Sequence, residues 1–323
     1  MRYFAAALAF CAAIFNAQAL ADTVTDPIAW LGRIASAGQR LDYTGTFIYQ
    51  SGHNFETSRI THIVDASGEH ERLEVLDGSP REVIRTNNEV RCVLPDQKTV
   101  IIDRGGSQRT FPARLPASFA GIAENYRVSK GDVGRIAGLE SQLIVLEPRD
   151  DLRYGHMLWA DMASGLLLKA RMVDANGEII EQFTFTDVRI GGPIDAEALK
   201  PRYSNDGDWR VINAHGDPLQ VDDSEWVLAA ALPGYALKSV VRRPLGRERG
   251  EILHLVYSDG LAAISVFIEP SDQDSGATGL GQLASGPINI YKRSVDDHLI
   301  TVLGEVPLRA VQRLGDGMER MPR

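Results

Sequence analysis

The sequence predicts an α+β protein of two domains, both dominated by antiparallel sheet. Short runs rich in β-branched and aromatic residues alternate with turn clusters at hairpin spacing, and the composition changes after residue 200. The 323 residues also exceed one typical domain of about 100–200 residues. We therefore predict a larger domain over residues 22–200, a linker over 201–217 and a smaller, compact α+β domain over 218–323.

A targeting segment is predicted before the first domain. Arg2 precedes an apolar run over residues 4–15, and Ala19-Leu20-Ala21 offers the small residues that a signal peptidase requires. The apolar run is shorter than the roughly 20 residues that span a bilayer. Residues 1–21 are therefore predicted to be a signal peptide that is removed, which makes the mature chain an exported, soluble protein.

The first domain is predicted to begin with a helix at Pro27, because Asp26 can cap it and apolar residues recur at helical spacing from Ile28 to Ala35. An antiparallel meander follows, with strands at 43–50, 55–64, 69–76, 81–86, 89–94 and 99–103. A short apolar helix is predicted at 117–123. Strands return at 139–147, 156–161, 166–174 and 178–189, and a short helix at 193–199 ends the domain.

The second domain is predicted to follow a linker that is rich in Ser, Asn, Asp and Gly and poor in aliphatic residues. Its strands are predicted at 235–243, 251–258, 261–270, 286–292 and 298–303. A helix at 308–314 completes it.

Charge and motif content disfavour several function classes. The formal net charge is −9, whereas a nucleic-acid-binding domain would usually show a basic face. The chain contains no HExxH, GxSxG, CxxC or P-loop pattern. We therefore expect a binding protein without a cofactor. An exported hydrolase, whose acid–base pair converges only in the folded chain, is an alternative.

Neither cysteine nor histidine spacing predicts a metal site. Cys92 is the only cysteine after the signal peptide, so we expect no internal disulfide and interpret Cys92 as a buried small hydrophobe. His62 and His70 lie on adjacent predicted strands and could meet across a hairpin. No third ligand is evident for a zinc ion, so no metal site is predicted.

An apolar cavity is one interpretation of the first domain. A curved antiparallel sheet wrapped over helices can enclose a site for a lipid or an acyl chain. The alternative is that the same side chains simply fill the core. The candidate lining residues are Trp30, Ile34, Phe47, Ile60, Phe119, Trp159 and Phe183.

A basic stretch lies between two predicted strands of the second domain. Four arginines at one hairpin tip of an acidic protein could bind phosphate or carboxylate groups, or could simply form a solvated turn. They are Arg242, Arg243, Arg247 and Arg249.

Several short stretches carry a family resemblance. In the second domain they are Leu232-Pro-Gly-Tyr-Ala-Leu237, Val256-Tyr-Ser-Asp-Gly-Leu261, Ser265-Val-Phe-Ile-Glu-Pro270 and Val302-Leu-Gly-Glu-Val-Pro307. In the first domain they are Tyr43-Thr-Gly-Thr-Phe-Ile-Tyr49 and Arg72-Leu-Glu-Val-Leu-Asp-Gly78. Together they resemble the RseB/MucB family, the periplasmic negative regulators of the sigma-E (AlgU-type) envelope-stress response. The resemblance spans nearly the whole mature chain and rests on strand and turn signatures.

The resemblance implies a fold and a mechanism. The larger domain would be an unclosed β-barrel over helices, similar to lipoprotein carriers, and would sense mislocalised lipoproteins or lipopolysaccharide. The protein would be periplasmic, would bind the periplasmic region of an RseA/MucA-type anti-sigma factor, and would protect it from the site-1 protease. Ligand binding would favour a state with lower affinity for the anti-sigma factor.

The smaller domain would supply much of the partner contact. Candidate anchors are Tyr257, Leu261 and Phe267, because aromatic and aliphatic anchors dominate interface energy. A core position is the alternative for Phe267, and the four arginines could meet either acidic partner residues or lipid A phosphates. The main alternative function is a periplasmic lipoprotein or lipid carrier, which would have little need of the second domain. The oligomeric state stays open, with a homo-oligomer among the alternatives.

Overall fold

The computed structural model describes residues 26–104, 119, 121–203, 207–220, 224–244, 251–271 and 280–321. Within these ranges the strands form one large sheet, one smaller sheet and a two-stranded ribbon. The predicted signal peptide, Arg247 and Arg249 lie outside the described residues.

The large sheet is formed mainly by the first two-thirds of the chain. Helix α1 spans Pro27–Arg40, and strands β1 to β6 span Tyr43–Ser51, Asn54–Asp65, Gly68–Val75, Glu82–Thr86, Glu89–Leu94 and Thr99–Arg104. Helix α2 (Ile122–Asn125) leads into β7 to β11, which span Tyr126–Ile136, Leu139–Pro148, Gly155–Asp161, Leu167–Val173 and Ile179–Ile190. Strand β12 spans Arg210–Asn213, and 3-10 turns lie at Pro95–Gln97 and Ala196–Leu199.

Two meanders build the large sheet, whose strand order is β12-β6-β5-β4-β3-β2-β1-β11-β10-β9-β8-β7. They meet where β1 pairs with β11, antiparallel like the other pairs except for the parallel β12–β6 contact. The described strands therefore form an open sheet. Helix α1 packs against β7, β8 and β10, on the face that holds the first apolar core.

Helix α1 forms as the sequence predicts. The Asp26 carboxylate accepts a hydrogen bond from the Ile28 amide at 3.0 Å, and Pro27 occupies the first turn. Trp30, Leu31 and Ile34 are buried against the sheet, as expected for the apolar face of an amphipathic helix.

The smaller sheet is formed by the last third of the chain. Strands β13 to β20 span Asp217–Leu219, Trp226–Leu228, Ala236–Pro244, Glu251–Ser258, Ala263–Pro270, Gly281–Ser285, Ile288–Val295 and His298–Gly304. Helix α3 (Leu308–Asp316) and β21 (Met318–Arg320) follow. The strand order is β13-β15-β16-β17-β20-β19-β18, α3 packs against β19 and β20, and β14 pairs with β21 outside this sheet. A second apolar core lies beneath α3.

The predicted linker contains strands. Within it, β12 adds to the edge of the large sheet and β13 begins to pair with β15 in the smaller sheet. The chain therefore crosses from one sheet to the other over Ala214–Gly216, between two strands that are each hydrogen-bonded. Segments poor in aliphatic residues can still form strands at a sheet edge, where backbone pairing matters more than burial.

The segment that ends the first predicted domain packs on the outer face of β3 and β4 through charged groups. Arg72 pairs with Glu82, whose side chain is fully buried, and donates to the Ala198 carbonyl oxygen at 3.3 Å. Arg202 pairs with Glu74, and its backbone amide donates to Glu82 at 3.1 Å. Paired charges thus hold this segment against the sheet.

The predicted fold class is correct in its coarser part, since the chain is mostly antiparallel sheet with few helices. Strand β7 was not predicted, because its stretch is rich in Gly and charged residues and lacks apolar alternation. It is an edge strand with a bulge between Lys130 and Val133, a position that tolerates such a sequence. Among the described residues, no helix is long and apolar enough to cross a membrane.

Candidate functional site

Six of the seven predicted cavity residues lie in or against the first apolar core. Five are buried and Phe119 is partly buried; the buried ones are Trp30, Ile34, Phe47, Ile60 and Phe183. The Phe47 ring meets those of Phe183 and Phe185 edge to face, with centroid distances of 6.3 and 5.7 Å. At these positions the interior is filled by protein side chains.

Trp159 lies apart from the other six. Its neighbours Leu158 and Ala160 are in the first core, and alternation along β9 places Trp159 on the opposite face. There Lys169 and Arg171 lie over its ring, 4.9 and 5.7 Å from the centroid. The seven residues therefore do not line one common space.

A second apolar row continues the core face towards the β12 edge, and the sequence analysis did not single it out. Val83 pairs with Cys92, Cys92 with Ile101, and Ile101 with Ile212, so the four share the face on which Leu73 joins the core. All four are half-buried. Cys92 is therefore half-buried and not fully buried as predicted, although the burial it has raises the pKa of its thiol. The sequence signal for this row is the apolar residue that each of β4, β5 and β6 places on the core face.

A polar cluster occupies the same face beside α1. The imidazole of His62 contacts the Leu41 carbonyl oxygen at 2.8 Å through Nδ1 and Glu69 Oε1 at 2.9 Å through Nε2. Glu71 is buried, which raises the pKa of its carboxyl, and Arg85 lies 3.8 Å from it. His62, Glu69 and Glu71 offer ligand atoms within 4.8 Å of one another, a set that fits a divalent cation. Glu69 and Glu71 thus supply the further ligand atoms that sequence spacing did not reveal, and Arg85 supplies positive charge at the same place.

The predicted contact between His62 and His70 is wrong. The register pairs His70 with Ile63, so the two histidines lie on opposite faces of the sheet. His70 instead contacts the Ser67 hydroxyl at 2.8 Å.

The three predicted partner anchors occupy different environments. Tyr257 is buried in the second core, and Leu261 packs against the first core, so both are internal contacts. Phe267 is half-buried on the outer face of the smaller sheet, where its ring stacks on His254 with centroids 4.3 Å apart. Sequence patterns mark such residues as apolar without showing whether they face a partner or the interior.

The two described arginines of the predicted cluster, Arg242 and Arg243, also lie in different environments. Arg242 is exposed and lies 3.3 Å from Glu251, across the hairpin. Arg243 turns towards the large sheet, where it donates to the Ala214 carbonyl oxygen and lies 3.8 Å from Asp103. The two described arginines therefore point to different surroundings.

The two sheets exchange residues at their junction. Leu152, from the loop between β8 and β9 of the large sheet, is buried in the second core. Leu261, from the turn between β16 and β17 of the smaller sheet, packs against the first core. Each sheet thus completes part of the other's apolar interior.

A buried arginine lies between these two leucines. Arg153 donates through Nε to Asp259 at 2.6 Å and through Nη2 to the Pro233 carbonyl oxygen at 2.7 Å, and it also pairs with Asp150. Its guanidinium carbon lies 4.6 Å from the ring centroid of Tyr235. The side chains of Arg153 and Asp259 are both 0 % exposed. We call Arg153, Asp150, Asp259, Tyr126 and Tyr235 the Arg153 cluster.

The carboxylate of Asp259 is equally well partnered. One oxygen accepts from Arg153 and from the Tyr126 hydroxyl, the latter at 3.3 Å. The other accepts from the backbone amides of Leu261 and Ala262 at 2.9 and 2.8 Å. The charge therefore also determines the shape of the turn that carries Leu261.

Burial and charge act together on the ionisation of the cluster. Burial raises the pKa of Tyr126 and of Tyr235, and Asp259 raises both further, so the two phenols stay neutral. Burial alone would lower the pKa of Arg153, yet Tyr235, Asp150 and Asp259 together raise it. The cluster thus holds one cation between two carboxylates.

Gly234 is required where the cluster meets the smaller sheet. Its φ of +75° is a conformation that other residues rarely adopt. A Cβ atom there would overlap the side chains of Asn125 and Arg153. Two motifs of the family resemblance therefore meet here, Leu232-Pro-Gly-Tyr-Ala-Leu237 and Val256-Tyr-Ser-Asp-Gly-Leu261.

A second polar contact lies where the chain crosses between the sheets, formed by Asp103, Ala214, Arg243 and His254; we call it the Arg243 contact. Arg243 Nε, Asp103 Oδ1 and both ring nitrogens of His254 are buried without a hydrogen-bond partner. Burial, and then the charge of Arg243, lower the pKa of His254 to about 4, so its ring is neutral near pH 7.

Comparison with known proteins assigns both halves of the chain. The model of the MucB/RseB N-terminal domain matches residues 26–203, and that of the MucB/RseB C-terminal domain matches residues 220–319. The sigma factor AlgU regulatory protein MucB of Pseudomonas aeruginosa is 30 % identical over 91 % of each chain. The sigma-E factor regulatory protein RseB of Haemophilus influenzae is 26 % identical over 88 % of each chain.

Solved structures agree with this assignment. MucB in complex with MucA(peri) is 28 % identical and superposes with a TM-score of 0.72, over 92 % of this chain and 100 % of that one. A second structure, of Pseudomonas aeruginosa MucA/MucB, gives a TM-score of 0.71 at 28 % identity, over 93 % and 100 %. A structure of MucB alone gives 0.66 at 27 % identity, over 91 % and 98 %. Matches to both domain models and to relatives along nearly their whole length show that this chain belongs to the MucB/RseB family.

Proposed function

We propose that this protein is a periplasmic regulator, not an enzyme, that binds the periplasmic region of a MucA/RseA-type anti-sigma factor and protects it from site-1 proteolysis. The observation that carries the proposal is the likeness to MucB in complex with MucA(peri), which extends over 92 % of this chain and so includes both sheets. The family's sigma-factor regulators are the relatives that match it along the chain.

The outer face of the smaller sheet is our candidate for the partner surface. Phe267 is half-buried there and belongs to neither apolar core, whereas Tyr257 is buried in the second core and Leu261 packs against the first. Aromatic anchors are enriched at interface hot spots. We therefore assign Phe267 to the partner contact on this face. Arg242 is exposed on the opposite face of the sheet, because it pairs with Leu253 while Phe267 pairs with His254.

Sensing of lipoproteins or lipopolysaccharide is assigned to the large sheet. Val83, Cys92, Ile101 and Ile212 form a half-buried apolar row next to the core, which suits an acyl chain. An acyl chain could reach the buried candidates Phe47 and Ile60 only by displacing side chains. The row is thus the more accessible part of the proposed lipid site.

The native thiol of Cys92 tests the lipid site. We expect a diacylated lipopeptide to slow alkylation of Cys92, because the acyl chain would cover it. Ile101→Gln should weaken lipopeptide binding, whereas Val211→Gln, an exposed position on the opposite face of the same edge, should not. Unchanged alkylation at saturating lipopeptide would place the lipid elsewhere.

Calorimetric titration tests the regulator itself. The mature chain, residues 22–323, is titrated with the soluble periplasmic segment of its host's anti-sigma factor, alone and with the lipopeptide. Binding that the lipopeptide weakens supports both regulation and sensing. Absence of binding in both conditions would reject the regulator, and stoichiometric acylated cargo in the purified protein would then favour a lipoprotein or lipid carrier.

A further inference from the structure

The Arg153 cluster is the most directional contact between the two sheets. Asp150 holds the guanidinium from its own loop, and the remaining nitrogens reach Asp259 and the Pro233 carbonyl oxygen, which belong to two separate segments of the smaller-sheet half. Charge-assisted hydrogen bonds to a planar guanidinium require specific angles as well as distances. A small rotation of one sheet against the other would break both bonds to the smaller-sheet half.

We propose that Arg153 is the positioning residue that sets the relative orientation of the two sheets, and that this orientation is the one that binds the anti-sigma factor. The second half of this statement rests on the function proposed above. A buried ion pair adds little net stability, and in some proteins it specifies one arrangement of the parts it joins; this is the role assigned to Arg153 here.

Leu152 and Leu261, which pack in each other's cores, provide a route by which a change in the relative orientation of the sheets would affect a binding site. Asp259 accepts the amides of Leu261 and Ala262, so loss of the Arg153 contact changes the turn that places Leu261 against the first core. Conversely, a ligand that displaces side chains of the first core would also displace Leu261, which packs against that core. The same turn joins β16 to β17, the strand that carries Phe267.

A distance measurement tests the orientation without any partner. Spin labels are placed at Asn88→Cys and Arg313→Cys, exposed positions on the two halves, in a mature chain that also carries Cys92→Ser. We expect one narrow distance distribution in this parent, and a shifted or second population after Arg153→Met. Asp151→Asn is the matched control, because its exposed pair with Arg309 crosses the same junction, and it should leave the distribution unchanged. An unchanged distribution in Arg153→Met would overturn the proposal.

Partner affinity is measured on the same variants. We expect Arg153→Met to weaken binding of the periplasmic anti-sigma segment about tenfold or more, within the usual range of coupling between sites, and Asp151→Asn to leave it unchanged. A shifted distance with unchanged affinity would refute the link to binding. A shifted distance when the parent itself binds no partner would refute the proposed function while leaving the positioning role intact.

Two further measurements decide the matter if Arg153→Met does not fold. Asp259→Asn keeps the shape of the side chain but removes its charge, and we expect it to shift the distance in the same way. In the unsubstituted chain, the amides of Leu261 and Ala262 should exchange with solvent as slowly as those of the central strands. Exchange as fast as in an exposed turn would contradict a closed junction.

Discussion

The Arg153 cluster and the Arg243 contact both join the large and smaller sheets, yet they differ in how completely their buried polar groups are hydrogen-bonded. At the first, all three guanidinium nitrogens of Arg153 donate and both oxygens of Asp259 accept. At the second, Arg243 Nε, Asp103 Oδ1 and both ring nitrogens of His254 have no partner. Buried polar atoms are normally satisfied, so the Arg243 contact is the unusual one.

Chain connectivity explains the difference. The Arg243 contact lies beside Ala214–Gly216, where the covalent chain itself keeps the two sheets close. The Arg153 cluster joins residues 106 and 80 positions apart, so only non-covalent contacts can hold them together. Where only non-covalent contacts bring two segments together, the hydrogen bonds between them must be complete. Where the backbone already links the two sheets, incomplete hydrogen bonding is tolerated.

The largest expected effect comes from breaking the Arg153 cluster. Arg153→Met leaves the Asp259 charge buried without a cation, so we expect the free energy of unfolding to fall by about 3–5 kcal/mol. Urea unfolding followed by circular dichroism measures the change. Arg309→Gln removes an exposed pair at the same junction and should have no measurable effect. If Arg153→Met were as stable as the parent, the Arg153 cluster would not depend on complete hydrogen bonding more than the Arg243 contact does.

The next effect is the pH dependence at the Arg243 contact. The pKa of His254 falls from 6.5 to about 4 on folding, so between these values the unfolded chain binds the proton and the folded chain does not. The stability associated with the neutral ring is complete above pH 6.5 and is lost as the pH falls towards 4. The slope is about 1.4 kcal/mol per pH unit, or roughly 3 kcal/mol in total.

Unfolding free energies at several pH values test this dependence. His254→Gln should remove its share of the slope, whereas His53→Gln, at an exposed hairpin turn, should leave the slope as it is. Parallel curves for the parent and His254→Gln would mean that the ring is not buried in its neutral form.

A smaller effect separates close packing from backbone strain at the Arg153 cluster. Gly234 and Gly177 have nearly equal φ values of +75° and +81°, but only at Gly234 would a Cβ meet other atoms. We expect Gly234→Ala to destabilise the protein by about 1–3 kcal/mol more than Gly177→Ala, because overpacking adds to the shared strain. Equal midpoint temperatures of thermal unfolding for the two variants would show that Asn125 and Arg153 can shift to accommodate the added Cβ.

The smallest effect is expected from replacing the Arg243 pair with apolar residues. Arg243→Met combined with Asp103→Leu removes two orphaned polar atoms, so stability should change by no more than about 1 kcal/mol and could rise. The equivalent double replacement, Arg153→Met with Asp259→Leu, leaves the amides of Leu261 and Ala262 without an acceptor and should be clearly destabilising. Chemical denaturation of both double variants compares the two contacts directly, and equal losses would remove the distinction.

Most of the fold could be predicted because its signals are local. Capping at Asp26 and apolar spacing predict α1, and turn clusters between β-branched runs predict the meander. Strand β7 and the edge strand β12 were missed because their backbone pairing compensates for sequences with little apolar alternation.

The candidate site could be predicted only in part. The motifs around Gly234 and Asp259 were recognised as family signatures, but the chain segment that completes their site begins about 80 residues earlier. Arg153 itself lies two residues after Asp151, between the predicted strands at 139–147 and 156–161, a context typical of solvated charge. Whether Tyr257 or Phe267 faces a partner depends on which side of the sheet α3 covers, and α3 covers the side of Tyr257.

By itself the sequence determined the mainly antiparallel α+β class, the position of α1, most strands and turns, the acidic character and the family resemblance. These properties depend on residues within a few positions of one another, or on composition. The tertiary structure alone decided that Arg153 and Asp259 share a buried site, that Leu152 and Leu261 exchange between the cores, and that Tyr257 lies inside. Such pairings arise from how the two sheets pack. A buried charge needs a partner, and sequence spacing does not specify which residues packing will bring next to it.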